Sequence, residues 1–434
     1  MKISTYALAV AIAGLAISTP AAAQYEGRQE QTTIRGQSGS ASSKSEEEVK
    51  AQQEADKLST GRALDISKEA RQAIIELQTA VTANDTANIP AKLAAAQAVA
   101  KTNDDKFVIA INQTKAATTA GDLAGMRAGI DALRASGNAK TLDLAARYNN
   151  LGKRYYDAKQ LDQAAATFEQ TLTVDANNSD ALKMLASTRE TQGRKADAVS
   201  LMAKSLAAAN AAGAKPNEND YKYAARLAYD SKSPAAGQIT QEWLADYPSS
   251  TNWRDALRIY RDVNGLQGDA KIDILRLASA ANALSGESDY FAYVNELMTR
   301  GYLNEAKSVI DAAAAAKAID PNKSAFKQFA PRLAKAPSRA TIDAAAKSAL
   351  SGGSAKDAMD AGDTLYGIGA FAESAPLFKA AAAKGADANQ ANLRLGMALA
   401  RAGDKSGATA ALNAVAGAQA NIAKYWLIWL SSRA

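Results

Sequence analysis

From about residue 60 onward, apolar residues recur at three- and four-residue intervals in runs of about 10–16 residues. Gly, Asn, Asp or Pro punctuate the runs. Sustained alternation of apolar and polar residues is absent, and no Asn-Gly pair is flanked by alternating segments, so the pattern predicts helices joined by short turns and no strands. Two N-terminal segments depart from it. Lys2 is followed by an apolar run from Ala7 to Ile17, then by Pro20 and three alanines ending at Ala23. This layout predicts a signal peptide (residues 1–23) cut between Ala23 and Gln24. The run, about 11 residues, is too short to span a bilayer, which takes ~20. Residues 24–57 are polar, charged and nearly free of large apolar side chains, which predicts a disordered tether, partly helical from near Glu46.

Helices of even length call for a search for a repeat period. The clearest stretch is YNNLGKRYYDAKQLDQAAATF at residues 148–168. Set against the helical-pair pattern W-x2-L-G-x2-Y, then A-x3-F, then P, Tyr148 stands at the Trp place. Leu151 and Gly152 form the Leu-Gly pair, Tyr155 is the Tyr, and Ala164 and Phe168 are the A-x3-F. Only the final Pro is missing, with Ala176 in its place. The stretch resembles a tetratricopeptide repeat. The resemblance implies an all-α fold, a right-handed α-solenoid of helical hairpins. In such a unit Gly152 and Ala164 are small where the two helices meet, and Tyr148, Leu151, Tyr155 and Phe168 pack around that contact.

A step of 34 residues, the repeat length, places Leu182, Leu185, Ala186, Gly193, Ala198 and Met202 on corresponding positions. Near the C-terminus Gly362, Gly369 and Phe378 fill one unit, and Leu395, Gly396, Gly403, Ala408 and Leu412 the next. Tyr290, Tyr293, Gly301 and Ala306 mark a middle unit. The helical pairs around Gly121 and after Trp253 keep few signature residues. At ~34 residues per unit, nine to eleven units are expected after residue 60. Pro331 falls where a first helix should run, and proline there removes a hydrogen bond and clashes with the preceding turn. The expected organisation is an N-terminal solenoid at 58–317, an irregular joint at 318–338, and C-terminal units with an apolar capping helix at 339–434.

Composition narrows the chemistry. Of 434 residues none is Cys or His. Disulfides, thiolate nucleophiles, Ser-His-Asp and Cys-His catalysis, and the common zinc and haem ligand sets are thereby excluded. No metal or other cofactor is expected. SGGSAKD at 351–357 lacks the G-x-x-x-x-G-K-[ST] spacing and follows no strand, so it reads as a helix start. The formal charge of +6 comes without a dense basic run, and no nucleic acid partner is expected. The alanine-rich chain and its leader suit the periplasm of a Gram-negative bacterium, with secretion as the alternative.

In tetratricopeptide-like arrays, the first helices of the units line a groove that binds extended peptides, and some members hold a terminal carboxylate between Lys and Asn. The resemblance places Asn149, Lys153 and Tyr156 on the groove face of one unit, and Lys183 and Ser187 on the next. Two lysines and an asparagine on adjacent helices can cradle a carboxylate by charge-assisted hydrogen bonds. Aromatic residues gather between 221 and 260: Tyr221, Tyr223, Tyr229, Trp243, Tyr247, Trp253 and Tyr260. The helix around Tyr425, Trp426 and Trp429 is apolar nearly all round, and is expected to cap the array or to offer Trp426 and Trp429 for self-association. The reading that follows is a non-enzymatic, exported scaffold that binds peptide or helical segments of envelope proteins. The alternative is a cell-wall or polysaccharide-associated enzyme or carbohydrate-binding protein using the 221–260 aromatics.

Overall fold

The computed structural model describes residues 64–433; the expected leader, its Ala23–Gln24 cut and the tether at 24–57 lie outside the described residues. The chain divides into two units at Gly193. The first contains α1 (Lys68–Thr82), α2 (Ile89–Val99), α3 (Asn103–Ala120), α4 (Leu123–Ala135), α5 (Thr141–Asp157), α6 (Leu161–Val174) and α7 (Ser179–Thr191). The second opens with α8 (Lys195–Ala211), α9 (Glu218–Asp230), α10 (Ala236–Asp246), α11 (Ser250–Val263), α12 (Gly268–Ala280), α13 (Gly286–Arg300) and α14 (Leu303–Ala315). It continues with α15 (Ser324–Lys327), α16 (Ala330–Leu333), α17 (Arg339–Ser351), α18 (Ala355–Gly367), α19 (Phe371–Ala383), α20 (Ala388–Ala402), α21 (Lys405–Asn413) and α22 (Ala420–Ser431). Among the described residues there is no strand, and no helix is long and apolar enough to cross a membrane. The architecture is an all-α array of antiparallel hairpins.

The hairpin of α5 and α6 shows how sequence becomes packing. Tyr148, Leu151, Gly152 and Tyr155 form one stripe of α5 at helical spacing, and all are buried. Ala164 and Phe168 are the buried stripe of α6. A Cβ on Gly152 would lie 2.5 Å from the Phe168 ring, so only glycine admits this approach. The same contact recurs in the second unit. A Cβ on Gly362 would meet Phe378 at 2.8 Å, and one on Gly396 would meet Leu412 at 2.5 Å. Ala408 is fully buried beside that contact. In the hairpin of α3 and α4 the small residue has changed sides. Gly129 of the second helix faces Thr114 of the first, where a Cβ would lie 2.4 Å from the hydroxyl oxygen. That exchange leaves the pair helical but erases the recognisable spacing.

Within the first unit each hairpin also ties back to its predecessor. The Tyr148 hydroxyl donates to Asp131 of α4 at 2.6 Å, and the Tyr155 hydroxyl donates to the Leu123 carbonyl at 2.9 Å. At the start of the unit, Asp105 of α3 accepts from the backbone of Ser67, Lys101 and Thr102 and from the Ser67 hydroxyl. Burial pushes its carboxyl up, but these donors prevail and hold it below the ordinary aspartate value.

The second unit departs from strictly nearest-neighbour stacking. Around Pro331 the chain forms two four-residue helices, α15 and α16. Pro331 sits in the first turn of α16, where a missing N–H is harmless. Phe326 and Phe329 bury themselves here among Tyr293, Leu297 and Ile310. After this stretch α18 packs against α14, and α22 packs against α10, α12 and α20. The later helices thus cover the earlier ones. Gly367 at the end of α18 approaches α14 so closely that a Cβ would lie 2.6 Å from that of Glu305.

Gly152→Ala should destabilise the α5–α6 hairpin by about 1–3 kcal/mol, the usual cost of overpacking. Amide hydrogen exchange in α5 and α6 would report it. Adding Phe168→Leu should recover part of the loss, because the obstructing ring is gone.

Candidate functional site

On α5, Asn149, Lys153 and Tyr156 follow one another at four and three residues, so their side chains share a stripe. Lys183 and Ser187 share a stripe of α7. The two stripes meet through a 3.0 Å hydrogen bond between the Tyr156 and Ser187 hydroxyls. That bond, contacts from Thr191 and the nearby Lys159 ammonium lower the Tyr156 phenol below its ordinary value. Asn149 is buried, and its Oδ1 has no hydrogen-bond partner. Lys153, one turn away, is half-buried. Lys183 is also half-buried and lies 3.4 Å from Asp180 of its own helix. Such exposed i,i+3 pairs contribute little, ~0–1 kcal/mol. The arrangement is a polar strip with one buried amide, a half-buried lysine on each helix and a hydroxyl pair.

The aromatics between 221 and 260 are placed differently from a sugar platform. Tyr221, Trp243, Trp253 and Tyr260 are all at most 3% exposed. Tyr247 stacks edge-on against Tyr221, donates to the Pro216 carbonyl at 2.9 Å and carries Lys215 4.0 Å over its ring. Stacking on a sugar needs a free ring face, and of the seven only Tyr229 is clearly exposed. The cluster is mainly helix core.

Trp426 and Trp429 are likewise buried inside the chain, so of the two expected roles, cap or self-association, their rings take the covering one. Trp426 is fully buried and Trp429 is 4% exposed, and the two rings pack edge to face. Tyr425 of the same helix bonds the Thr240 hydroxyl of α10 at 2.6 Å and lies against the Tyr260 ring. The helix packs against α10, α12 and α20, and Leu427 and Ile428 are left half-buried.

The sequence gives no hint of the most concentrated chemistry in the second unit. Arg276 of α12, 1% exposed, makes a two-pronged ion pair with Glu305 of α14 at 2.9 and 2.6 Å. Its third nitrogen donates to Asp363 of α18 at 3.0 Å and to Asp273 at 3.4 Å. Tyr366 lies flat beside the guanidinium, and the Tyr293 hydroxyl donates to Glu305 at 2.6 Å. Arg394 of α20 donates to the other oxygen of Asp363. It also lies 3.3 Å from Asp269 and 3.6 Å from Asp273, in poor alignment for hydrogen bonds. A polar cleft of about 740 Å³ borders Asp363 and Arg394. Two buried arginines face three buried carboxylates, so one negative charge is in excess. Burial, opposed by Arg394 and Arg276, leaves the Asp273 carboxyl raised to about 6, and the Asp363 carboxyl is raised as well. The cluster joins four helices, α12, α14, α18 and α20, through buried charge.

The sign of its pH dependence follows. A carboxyl whose folded value is raised binds its proton more tightly folded than unfolded. Its contribution to stability is complete below the ordinary aspartate value near ~4 and is lost as pH rises through about 6. Asp273→Asn should flatten the fall in stability of the second unit between those values, as followed by thermal unfolding across pH. Arg276→Met should destabilise the unit by about 3–5 kcal/mol, because Glu305 and Asp363 are left buried without their cation.

No known family profile matches the chain, and no curated protein does. Among solved structures it is similar to a tetratricopeptide repeat protein from Parabacteroides merdae ATCC 43184, at 14% identity over 68% of this chain and 99% of that one, with a TM-score of 0.28. It is also similar to the APC/C hetero-tetramer Cut9–Hcn1, at 13% identity over 84% of this chain and 81% of that one, with a TM-score of 0.18.

Proposed function

We propose that the protein is an exported, non-enzymatic scaffold that holds a segment of a partner protein against the α5–α7 face of its first unit. The observation that carries this reading is the Asn149 side chain, buried with its oxygen unpartnered, one turn from Lys153. A buried amide without a partner costs ~1–3 kcal/mol. A ligand that hydrogen-bonds it recovers that cost on binding. The group that satisfies this oxygen is a donor, a backbone N–H of the bound segment, while Lys153 and Lys183 supply charge for its terminal carboxylate. The leader-like N-terminus supports export to the periplasm, and the partner is then an envelope protein.

The test is crosslinking in intact cells, comparing the wild-type chain with Lys153→Glu plus Lys183→Glu. Reversing both charges should reduce capture of the specific partner at least tenfold while the helical content stays the same. Undiminished capture would sink the assignment of this face.

A further inference from the structure

In α11, Trp253 is buried as Tyr148 is in α5, and Ala256, Leu257 and Tyr260 complete the same buried stripe. Measured from that ring, Arg254, Arg258 and Arg261 stand at the offsets of Asn149, Lys153 and Tyr156. All three cations therefore share one side of one helix. Their neutralisation is weak. Arg254 and Arg258 both look to Asp255, at 3.8 and 3.9 Å, beyond hydrogen-bond reach. Arg261 alone has a close partner, Asp262 at 2.8 Å. The Arg258 side chain is 55% exposed. Asp289, across the gap on α13, is already engaged by the Ser285 backbone N–H at 2.9 Å.

The arginines border a concavity of about 400 Å³ between α11, α12 and α13. Its floor is apolar: Leu257, Ile274, Leu275, Ala278 and Ala283. Charge on the rim and hydrocarbon beneath define the complement, an anionic chain with an apolar side chain. The ladder spans eight residues of helix, about 10 Å, a length that an extended chain covers in three or four residues. A slot of this size takes one or two side chains and not an ordered duplex. Guanidinium groups free of strong partners bind carboxylates in two-pronged fashion, and surface pairs worth ~0–1 kcal/mol are readily exchanged.

We propose that this face of the second unit is a docking site for a short acidic segment of a partner protein, with an apolar anchor seated in the slot. The proposal rests on the reading that such faces receive partner segments, and adds a second site of different chemistry.

The test is fluorescence anisotropy on the purified full chain with a labelled peptide, Gly-Glu-Glu-Leu-Glu-Glu-Gly. The expected result is saturable binding that weakens at least tenfold in Arg254→Gln plus Arg258→Gln and weakens steeply with salt. Replacing the peptide's leucine by glycine should also weaken it, and Lys153→Gln should not. Absent binding, or binding that survives the double variant or ignores the leucine, overturns the proposal. So does tighter binding of a single-stranded oligonucleotide of equal charge, which would mark a site for phosphates. The readout is a synthetic peptide on isolated protein, so its failure leaves the capture experiment at Lys153 and Lys183 standing, and the converse holds.

Discussion

The array depends on helices that approach one another where a side chain is missing. At Gly152, Gly362 and Gly396 the facing Phe168, Phe378 or Leu412 occupies the space that a Cβ would take. The ring or branched chain is then held on several sides, and dispersion contacts accumulate at crystal-like density. Because the buried stripe of the first helix is committed to its partner helix and to the preceding hairpin, the opposite stripe is left polar. Asn149 and Lys153 lie on that remainder of α5. The polar strip of α5 is thus a by-product of where the close contact falls.

The second unit adds a different kind of bond. Arg276 and Arg394 reach across from α12 and α20 to carboxylates on α12, α14 and α18. Such buried pairs contribute little net stability, since desolvation offsets most of the attraction. What they impose is registry: a slipped helix would leave a charge buried alone. Gly367 against Glu305 enforces the same alignment sterically. Hydrophobic surfaces alone, rich in alanine and featureless, would tolerate several alignments.

Much of this was legible in the sequence, and the boundary is instructive. The helices, the Tyr148 to Phe168 signature and the apolar last helix could be read because they are local, coded within one or two turns. The α3–α4 hairpin was faint because Gly129 carries the small position that the pattern seeks on the other helix. The arginine ladder has a local signal, a Trp followed by basic residues one, five and eight places on, but it matches no repeat signature. The charge cluster could not be found by spacing. Arg276 and Asp363 are 87 residues apart, and only the return of the later helices brings them together. The seven aromatics at 221–260 were ambiguous for a related reason, since burial is decided by neighbours distant in the chain.

The seat of α22 has a consequence for biogenesis. Tyr425 and Thr240 are 185 residues apart, yet they share a buried hydroxyl contact. Until α22 has been made, the α10 and α12 surfaces that it covers lack their partner helix. A nascent or prematurely terminated chain therefore displays an oily patch that the finished molecule hides. Truncation before α22 would expose apolar surface of the kind that favours aggregation of incomplete chains.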